Sequence, residues 1–271
     1  MDIGLALSGG AARGIAHIGV LKYLEEQQVK PCCLAGTSAG SIVGALYCFG
    51  KSPDEMIKVA EKISWKDLVK LSIPKLGLIK SSKLLEILTD YIGDMDFADL
   101  KIPLMINAVD LLSGEEVVMT EGSVVEAVQA SCSIPGIFTP VKRNDQLLVD
   151  GGLLDNVPVT VMKERDLDFL IAVDVGAQKP LQKEPGNIFE VLMQSFDIIR
   201  RQQDMIAHKH ADLIIEPELG DIALWDVNKI DLLVERGYDA AKEALKEVDL
   251  KKKQGRLAKW FNRKKKSEGK G

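Results

Sequence analysis

Short apolar runs alternate along this chain with longer segments in which apolar residues recur every three or four positions. The short runs predict buried strands at 3–7, 32–35, 104–109, 147–149, 169–173 and 213–215. The longer segments predict helices at 15–26, 41–48, 53–63, 81–92, 124–134, 156–165, 188–209 and 231–248. Because strands alternate with helices, we expect a three-layer α/β/α fold with a mainly parallel central sheet and helices on both of its faces.

Polar residues mark the places where two of these helices begin. Ser52 with Glu55, and Ser123 with Glu126, have the spacing of capping boxes, and a proline occupies the first helical position after Ser52. A further apolar run at 116–119 follows Leu-Ser-Gly, which predicts a hairpin with the strand before it.

Composition favours one large core. The chain has 271 residues, of which 46% are hydrophobic and only 5% are aromatic, so that aliphatic side chains must fill the interior. An aliphatic core of this size suits an α/β sheet better than a β-sandwich. No internal repeat or linker precedes Leu250. We therefore expect one α/β domain at 1–250, followed by a basic tail at 251–271.

The charge of the chain is unevenly distributed. The net charge is −5, yet ten basic residues and one acidic residue follow Leu250, so the domain before them is strongly acidic. An acidic domain argues against nucleic acid as a partner. In the tail, Leu257, Trp260 and Phe261 lie among basic residues in the pattern of a helix on an anionic membrane surface. A solvated tail is the alternative.

The sequence predicts a cytoplasmic protein, peripheral at the inner membrane face if the tail binds lipid. No secretory signal peptide is visible at the start, which runs straight into a strand. The longest apolar run, 34–50, is too short to span a bilayer. The four cysteines have no metal-ligand or redox spacing, which indicates reduced thiols. Packing on the core is the favoured interpretation of the apolar segment at 65–79, and a lid or an acyl-chain surface is the alternative.

The sequence Gly36-Thr37-Ser38-Ala39-Gly40 lies between the second predicted strand and the next helix. A Gly-x-Ser-x-Gly turn in this context is typical of a nucleophile elbow, which holds its serine at the C-terminal end of a strand. Gly36 and Gly40 leave room for the turn, and the helix N-terminus supplies positive charge for an oxyanion. Ser38 is therefore a candidate nucleophile, and a simple helix N-cap is the alternative.

Two more glycine-rich loops follow predicted strands, Ser8 to Gly14 and Asp150 to Gly152. Doubly wound sheets bind ligands beyond the carboxyl ends of their strands. The N–H groups of Gly9, Gly10 and Ala11 lead into a helix and can hold an anion, either a phosphate or the oxyanion of acyl transfer. A dinucleotide site is disfavoured because Ala11 stands where that motif needs glycine, and no Gly-Lys-Ser/Thr of a phosphate-binding loop follows.

A serine hydrolase also needs a base, and the chain has only three histidines. His208 and His210 lie on different faces at the end of the long predicted helix, which favours solvated positions for both. His17 lies one turn into the first helix. We expect it to pack or to hydrogen-bond near the glycine loop.

Aspartate is the remaining candidate for the base. Asp110, Asp150 and Asp174 each end an apolar strand, and two glycines after Asp150 permit close approach of the backbone. Turn formation or helix capping is the favoured interpretation of Asp110 and Asp174. If Asp150 is the base, its desolvation should raise its pKa.

Together these loops resemble those of the patatin-like phospholipases, in particular the short bacterial members. The resemblance rests on Gly9-Gly10-Ala11-Ala12-Arg13-Gly14, Gly36-Thr37-Ser38-Ala39-Gly40 and Asp150-Gly151-Gly152, with supporting blocks at 16–21 and 130–140. The blocks occur in the order typical of that family, between Ile3 and about Val175.

The resemblance implies a Ser–Asp dyad of Ser38 and Asp150 that hydrolyses lipid acyl esters, such as phospholipids or lysophospholipids, without a metal or another cofactor. It also implies an oxyanion hole of the Gly9–Ala11 backbone, with Arg13 organising that loop or meeting a substrate phosphate. Ala11 replaces the third glycine usual in the family, which is tolerated if its dihedral angles are ordinary. The alternatives are a catalytically silent module that binds lipid or protein, and a thioesterase or protease with the same dyad.

Overall fold

The structure is a computed structural model that describes residues 2–62, 82–176, 184–186, 188–220, 222 and 229–247. The strands in these residues are β1 (Ile3–Leu7), β2 (Cys33–Gly36), β3 (Leu104–Asp110), β4 (Glu116–Met119), β5 (Val141–Arg143), β6 (Gln146–Asp150), β7 (Phe169–Val173) and β8 (Leu213–Ile215). The α-helices are α1 (Ala16–Glu26), α2 (Ala39–Phe49), α3 (Pro53–Lys62), α4 (Ser82–Ile92), α5 (Val124–Ser131), α6 (Ile188–His210) and α7 (Ile230–Glu247).

One sheet contains all of these strands, and its centre is parallel. β1 pairs with β2 on one side and with β7 on the other, so that Leu7 lies opposite both Gly36 and Val173. β3 follows beyond β2, and β8 follows beyond β7, each parallel to its neighbour. The α/β fold with a mainly parallel sheet is therefore confirmed, as a mixed sheet, because β4, β5 and β6 are antiparallel to their partners.

Two strands, β2 and β6, share one edge of β3. β4 occupies the opposite edge, where Met119 lies opposite Ile106. The shared edge pairs with the ends of both strands. On this edge, β2 ends at Gly36 opposite Ile106, and β6 ends at Asp150 opposite Ala108. Because β2 runs parallel to β3 and β6 runs antiparallel to it, the two strands point toward each other along this edge. Their last residues therefore meet nearly end to end.

The core is divided into two clusters, one on each face of the sheet, because successive side chains of a strand point to opposite faces. Leu5 and Leu7 of β1 belong to the larger cluster, which also contains buried residues of α1–α5 and α7. Ala6 belongs to the smaller cluster on the other face, with residues such as Val157 and Met162. The larger part of the hydrophobic core thus lies on one face of the sheet.

Close packing of α1 on α7 depends on two glycines. A Cβ atom at Gly19 would lie 1.9 Å from the carbonyl oxygen of Val234, and one at Gly237 would lie 1.9 Å from that of Ala16. The backbones of α1 and α7 are therefore in direct contact. This contact fixes the start of α1, which directly follows the glycine loop.

Most predicted elements are present, and both predicted helix starts are confirmed. The N–H of Ser52 donates to the Glu55 carboxylate at 2.9 Å, and the N–H of Glu126 donates to Oγ of Ser123 at 3.3 Å. The predicted hairpin is also present, since β3 and β4 pair antiparallel.

The helix predicted at 156–165 is wrong. This segment contains only a single 3-10 turn, Thr160–Met162. Pro158 has no N–H to donate and disfavours the helical conformation of Val157 before it. The prediction also missed β5, a three-residue strand joined to β6 by a tight turn in which Asn144 has a φ of 54°.

The basic tail at 251–271 and the apolar segment at 65–79 lie outside the described residues. The interpretations of both therefore stay predictions. Among the helices that the structure does describe, none combines the length and the hydrophobicity needed to cross a bilayer.

Candidate active site

The glycine loop and the serine turn lie side by side, because they follow the paired strands β1 and β2. A Cβ atom at Gly40 would lie 2.2 Å from the carbonyl oxygen of Leu7, and one at Gly14 would lie 2.4 Å from Cβ of Ala39. Glycine at these two positions lets the start of α2 pack directly against the loop after β1.

Ser38 occupies the sharp turn between β2 and α2. Its φ of 49° and ψ of −120° lie where residues other than glycine are rarely found, as in a nucleophile elbow. Its N–H donates to Oγ of Ser131 at 2.8 Å, which fixes the turn to the end of α5. The hydroxyl of Ser38 makes no capping hydrogen bond to α2. The geometry thus favours the elbow over the N-cap interpretation.

Asp150 approaches Ser38 from the opposite direction, at the end of β6. Its N–H donates to the carbonyl oxygen of Ser133 at 3.1 Å, and its Oδ1 accepts a hydrogen bond from the N–H of Gly152 at 2.8 Å. Ser38 and Asp150 are each 7% exposed. Two buried side chains from distant parts of the sequence are thus brought together.

Burial raises the pKa of Asp150 to about 6. The neighbouring Ser38 hydroxyl, the hydrogen bond from the Gly152 N–H and the positive charge of Arg200 act in the opposite direction, but desolvation is the larger effect. The carboxylate is therefore still mostly ionised at neutral pH, and it is a stronger base than an exposed aspartate. This is the direction that the sequence predicted for a base at this position.

Asn107 of β3 joins the serine turn to the loop after the aspartate. Its Oδ1 accepts a hydrogen bond from the Thr37 hydroxyl at 2.7 Å, and its Nδ2 donates to the carbonyl oxygen of Asp155 and to Glu116, each at 2.9 Å. The side chain is buried with its polar atoms paired. Sequence reasoning missed this residue, although an asparagine inside an otherwise apolar strand was the signal.

The glycine loop has fewer available N–H groups than the sequence predicted. The N–H of Gly9 donates to the carbonyl oxygen of Asn156 at 3.0 Å, so this group is already engaged. Gly10 and Ala11 remain as candidate oxyanion donors. Ala11 has a φ of 50°, so the condition of ordinary dihedral angles, under which this alanine would be tolerated in place of glycine, is not met.

Arg13 and His17 lie behind the glycine loop. Arg13 is 5% exposed, and its Nε donates to the carbonyl oxygen of Ile222 at 2.9 Å. His17 is fully buried, which lowers its pKa to about 4, and its Nε2 lies 2.8 Å from the carbonyl oxygen of Ser8. A neutral imidazole that donates to Ser8 fits the predicted packing role. For Arg13, the loop-organising role fits better than a phosphate contact, since Arg13 lines neither of the cavities at the site.

Two cavities open on Ser38. The first has about 800 Å³ with its open mouth included, and its walls are apolar: Ile15, Ile18, Ile42, Val43, Leu46, Met56, Val59 and Phe138. The second, of about 590 Å³, contains the polar side chains of Asp150, Asn156, Asp197 and Arg200. Ala11, Ser38 and Ile134 line both cavities. The serine therefore lies where an apolar and a polar space meet.

Arg200 is the second site residue that sequence reasoning missed. α6 places it at the wall of the polar cavity, next to Phe196 and Asp197. Its guanidinium donates to the carbonyl oxygen of Gly176 at 3.1 Å and lies 3.2 Å from the Asp197 carboxylate. An arginine on an amphipathic helix, far from the three motifs, carries no local signal for such a position.

The other titratable candidates have structural surroundings. Asp110 accepts hydrogen bonds from two backbone N–H groups and from the Ser113 hydroxyl, which lower its pKa. Asp174 accepts one from a backbone N–H in the loop after β7. His210 is exposed at the end of α6, whereas the side chain of His208 lies outside the described part. Within that part, no group of three or more His, Cys, Asp or Glu side chains is arranged to hold a metal.

Comparison with known sequences gives a family match and more distant relatives. The family model described as patatin-like phospholipase matches residues 5–163. An uncharacterized NTE family protein of Mycobacterium tuberculosis is 31% identical over 270 residues, which cover 90% of this chain and 46% of that protein. Lysophospholipase NTE1 of Candida albicans is 28% identical over 235 residues, covering 84% of this chain and 17% of that protein. The chain thus spans about half the length of the mycobacterial relative and less of the fungal one.

Comparison with solved structures supports the fold. The crystal structure of VipD from Legionella pneumophila matches with a TM-score of 0.54 and 14% identity, over 90% of this chain and 66% of VipD. At this identity the likeness concerns the arrangement of sheet and helices alone.

Proposed function

Because this chain belongs to the patatin-like phospholipase family, we propose that it is a serine hydrolase of lipid acyl esters, with Ser38 as the nucleophile and Asp150 as the base. One observation carries the proposal: a buried serine in a strained turn faces a buried carboxylate of raised pKa across one edge of β3. Phospholipids and lysophospholipids are the proposed substrate class. The lysophospholipase name of the Candida albicans relative supports this class.

The first half of the proposed reaction forms an acyl-enzyme. Oγ of Ser38 attacks the ester carbonyl carbon while its proton passes to the Asp150 carboxylate. The negative charge on the carbonyl oxygen is stabilised by the N–H groups of Gly10 and Ala11 and by the N-terminus of α2. Asp150 then returns the proton to the leaving alcohol oxygen as the carbon–oxygen bond breaks.

The second half releases the fatty acid. A water molecule in the polar cavity transfers a proton to Asp150 and attacks the acyl carbon. Collapse of the second tetrahedral intermediate returns the proton to Oγ of Ser38. The raised pKa of Asp150 supports both transfers, because a carboxylate near 6 is ionised at neutral pH and still accepts a proton readily.

The two cavities support a defined orientation of the substrate. The apolar cavity between α1, α2 and α3 suits the acyl chain, since each buried methylene contributes about 0.8 kcal/mol. The polar cavity suits the leaving alcohol and the attacking water. Both spaces meet at Ser38, where the ester carbon must lie for attack.

Covalent labelling tests the proposed nucleophile. A fluorophosphonate probe should modify Ser38, and the label should be absent from Ser38→Ala but present in Ser133→Ala, which removes a nearby hydroxyl bonded to the carbonyl of Gln129. A screen of acyl esters, thioesters and peptides of matched chain length then defines the reaction class. Absence of labelling in the wild-type protein would support the silent binding module, and cleavage restricted to peptides or thioesters would contradict the lipid ester proposal.

The basic tail at 251–271 is proposed to bring the enzyme to an anionic membrane surface on the cytoplasmic side. The apolar residues Leu257, Trp260 and Phe261, which lie among basic residues, support this role. Sedimentation with anionic liposomes, with and without the residues after Leu250, tests it. Loss of binding without the tail is expected, and equal binding at low salt would dismiss the proposal.

A further inference from the structure

The polar cavity beside Ser38 contains a buried guanidinium that the proposed reaction does not use. Arg200 is 8% exposed and packs against the backbone of Gly176, where a Cβ atom would lie 2.7 Å from its Cζ. Glycine at 176 therefore makes room for this side chain. Its position at the cavity wall is fixed on one side by the Gly176 carbonyl and on the other by Asp197.

Charged groups of both signs lie around this wall. The pKa of Arg13, which lies behind the glycine loop, is lowered by burial and by the positive charges of Arg200 and Arg201, while Asp197 raises it. In the cavity itself, Arg200 lies near two carboxylates, Asp197 and Asp150. Binding of a further anion here therefore depends on the hydrogen-bond donors of the wall rather than on an excess of positive charge.

Two buried donors at the cavity have no hydrogen-bond partner among the described residues. They are Nε of Arg200 and Nδ2 of Asn156, which is only 3% exposed. Both residues line the cavity that also contains Ser38 and Asp150. Buried polar atoms are normally paired, so these two side chains retain donor capacity for an oxygen-rich group that enters this cavity.

We propose that Arg200, assisted by Asn156, binds the phosphate group of the lipid substrate on the leaving-group side of the scissile ester. This inference rests on the proposed function, since it assumes that the acyl chain fills the apolar cavity and the remainder of the lipid enters the polar one. Arg200 then selects esters that carry a phosphate near the cleaved bond over neutral esters of the same acyl chain.

Equilibrium binding tests the subsite without turnover. Ser38→Ala is titrated with 1-octanoylglycerol 3-phosphate, with 1-octanoylglycerol and with inorganic phosphate. We expect the phosphorylated lipid to bind about 10- to 100-fold more tightly than the neutral one, because a buried charged hydrogen bond is gained. Inorganic phosphate should bind more weakly than the phosphorylated lipid. Equal binding of the two lipids, or free phosphate binding as tightly as the phosphorylated lipid, would overturn the proposal.

Substitution assigns the preference to Arg200. In the Ser38→Ala background, Arg200→Gln should abolish the preference for the phosphorylated lipid and Arg200→Lys should retain part of it. Lys209→Gln, which removes an exposed charge from the same helix, should leave the preference intact. A preference that survives in both Arg200 variants, with melting curves that show them folded, would contradict the assignment.

Kinetics with the intact serine distinguish a failed subsite from a failed enzyme. At pH 8, where Asp150 is ionised, Arg200→Gln should lower kcat/KM at least tenfold more for 1-octanoylglycerol 3-phosphate than for 1-octanoylglycerol. Equal losses on both substrates would overturn the phosphate subsite. They would show that Arg200 instead supports the reaction by positioning Asp150 or by stabilising its charge. If no fluorophosphonate labels Ser38, the proposed function fails, while the binding experiment still decides the subsite.

Discussion

Asp110 and Asp150 end two strands that pair with each other, yet their surroundings give them opposite properties. Both side chains are buried, with exposed fractions of 5% and 7%. At Asp110, hydrogen bonds from Leu112, Leu147 and Ser113 outweigh burial, and its pKa is lowered. At Asp150, burial outweighs the hydrogen bonds and raises the pKa to about 6. The balance between desolvation and hydrogen-bond donors therefore distinguishes the carboxylate that anchors a turn from the candidate base.

The largest expected effect is the loss of activity when the base is removed. Asp150→Asn should lower kcat on a short-chain ester by about 10²- to 10⁴-fold, because the serine then has no group to accept its proton. Asp110→Asn should stay within about threefold of the wild type. Steady-state hydrolysis at pH 8 measures both, and similar losses in the two variants would remove the functional difference between the carboxylates.

Stability should change in the opposite direction in these two variants. The folded-state pKa of Asp150 lies above its unfolded value, so its ionised form destabilises the fold above about pH 6, and this penalty is absent below about pH 4. Asp150→Asn should therefore raise the melting temperature at pH 8 but not at pH 4. Asp110→Asn should lower it at pH 8, because the lowered pKa of Asp110 stabilises the fold above its unfolded pKa.

A smaller effect is expected at Asn107, which lies on β3 between the residues opposite Gly36 and Asp150. Asn107→Ala removes an acceptor of the Thr37 hydroxyl and a donor to the Asp155 carbonyl, and leaves only the direct 3.0 Å hydrogen bond between these two groups. We expect destabilisation of about 1–3 kcal/mol and a fall in kcat of about 10- to 100-fold, since the connection between the serine turn and the Asp150 loop is reduced to that one hydrogen bond. Urea unfolding and ester hydrolysis measure these effects.

Glu116→Gln is the matched control for Asn107→Ala. It keeps an acceptor for Nδ2 of Asn107 and should retain most of the activity and stability. A fall in kcat as large as that of Asn107→Ala would show that the charge of Glu116, rather than the connection through Asn107, supports the site.

The smallest expected effect is at Ala11 on the glycine loop. Its φ of 50° is unfavourable for alanine by about 1–2 kcal/mol and is ordinary for glycine. Ala11→Gly should therefore raise the melting temperature by a few degrees, partly offset by the greater freedom of the unfolded chain. Calorimetry measures the shift. A lower melting temperature would show that the methyl group contributes more through packing in the apolar cavity than the backbone loses.

The sequence predicted the secondary structure well where a single apolar pattern is enough to identify an element. Strands such as β1 and β7 are buried on both faces and read as continuous apolar runs. The helix at 156–165 failed because one proline overrides a helical apolar pattern. β5 was missed because three residues are too short for any periodicity.

At the candidate site, the residues that lie in local motifs were predicted from the sequence, whereas those that only tertiary contacts bring there were missed. Ser38 and Asp150 lie in short motifs, so both were predicted, and the strand pairing of β3 brings them together. Arg200 reaches the site only through the packing of α6, and the engagement of the Gly9 N–H depends on a carbonyl far along the chain. Neither contact has a counterpart in sequence spacing.

The pH dependence of serine labelling tests the central claim most directly. The rate of fluorophosphonate modification of Ser38, followed by intact mass between pH 4 and pH 9, should fall about tenfold per pH unit below a midpoint near 6, and Asp150→Asn should label slowly and without that midpoint. A wild-type labelling rate in Asp150→Asn, or a midpoint near 6 that persists in this variant, would contradict the account.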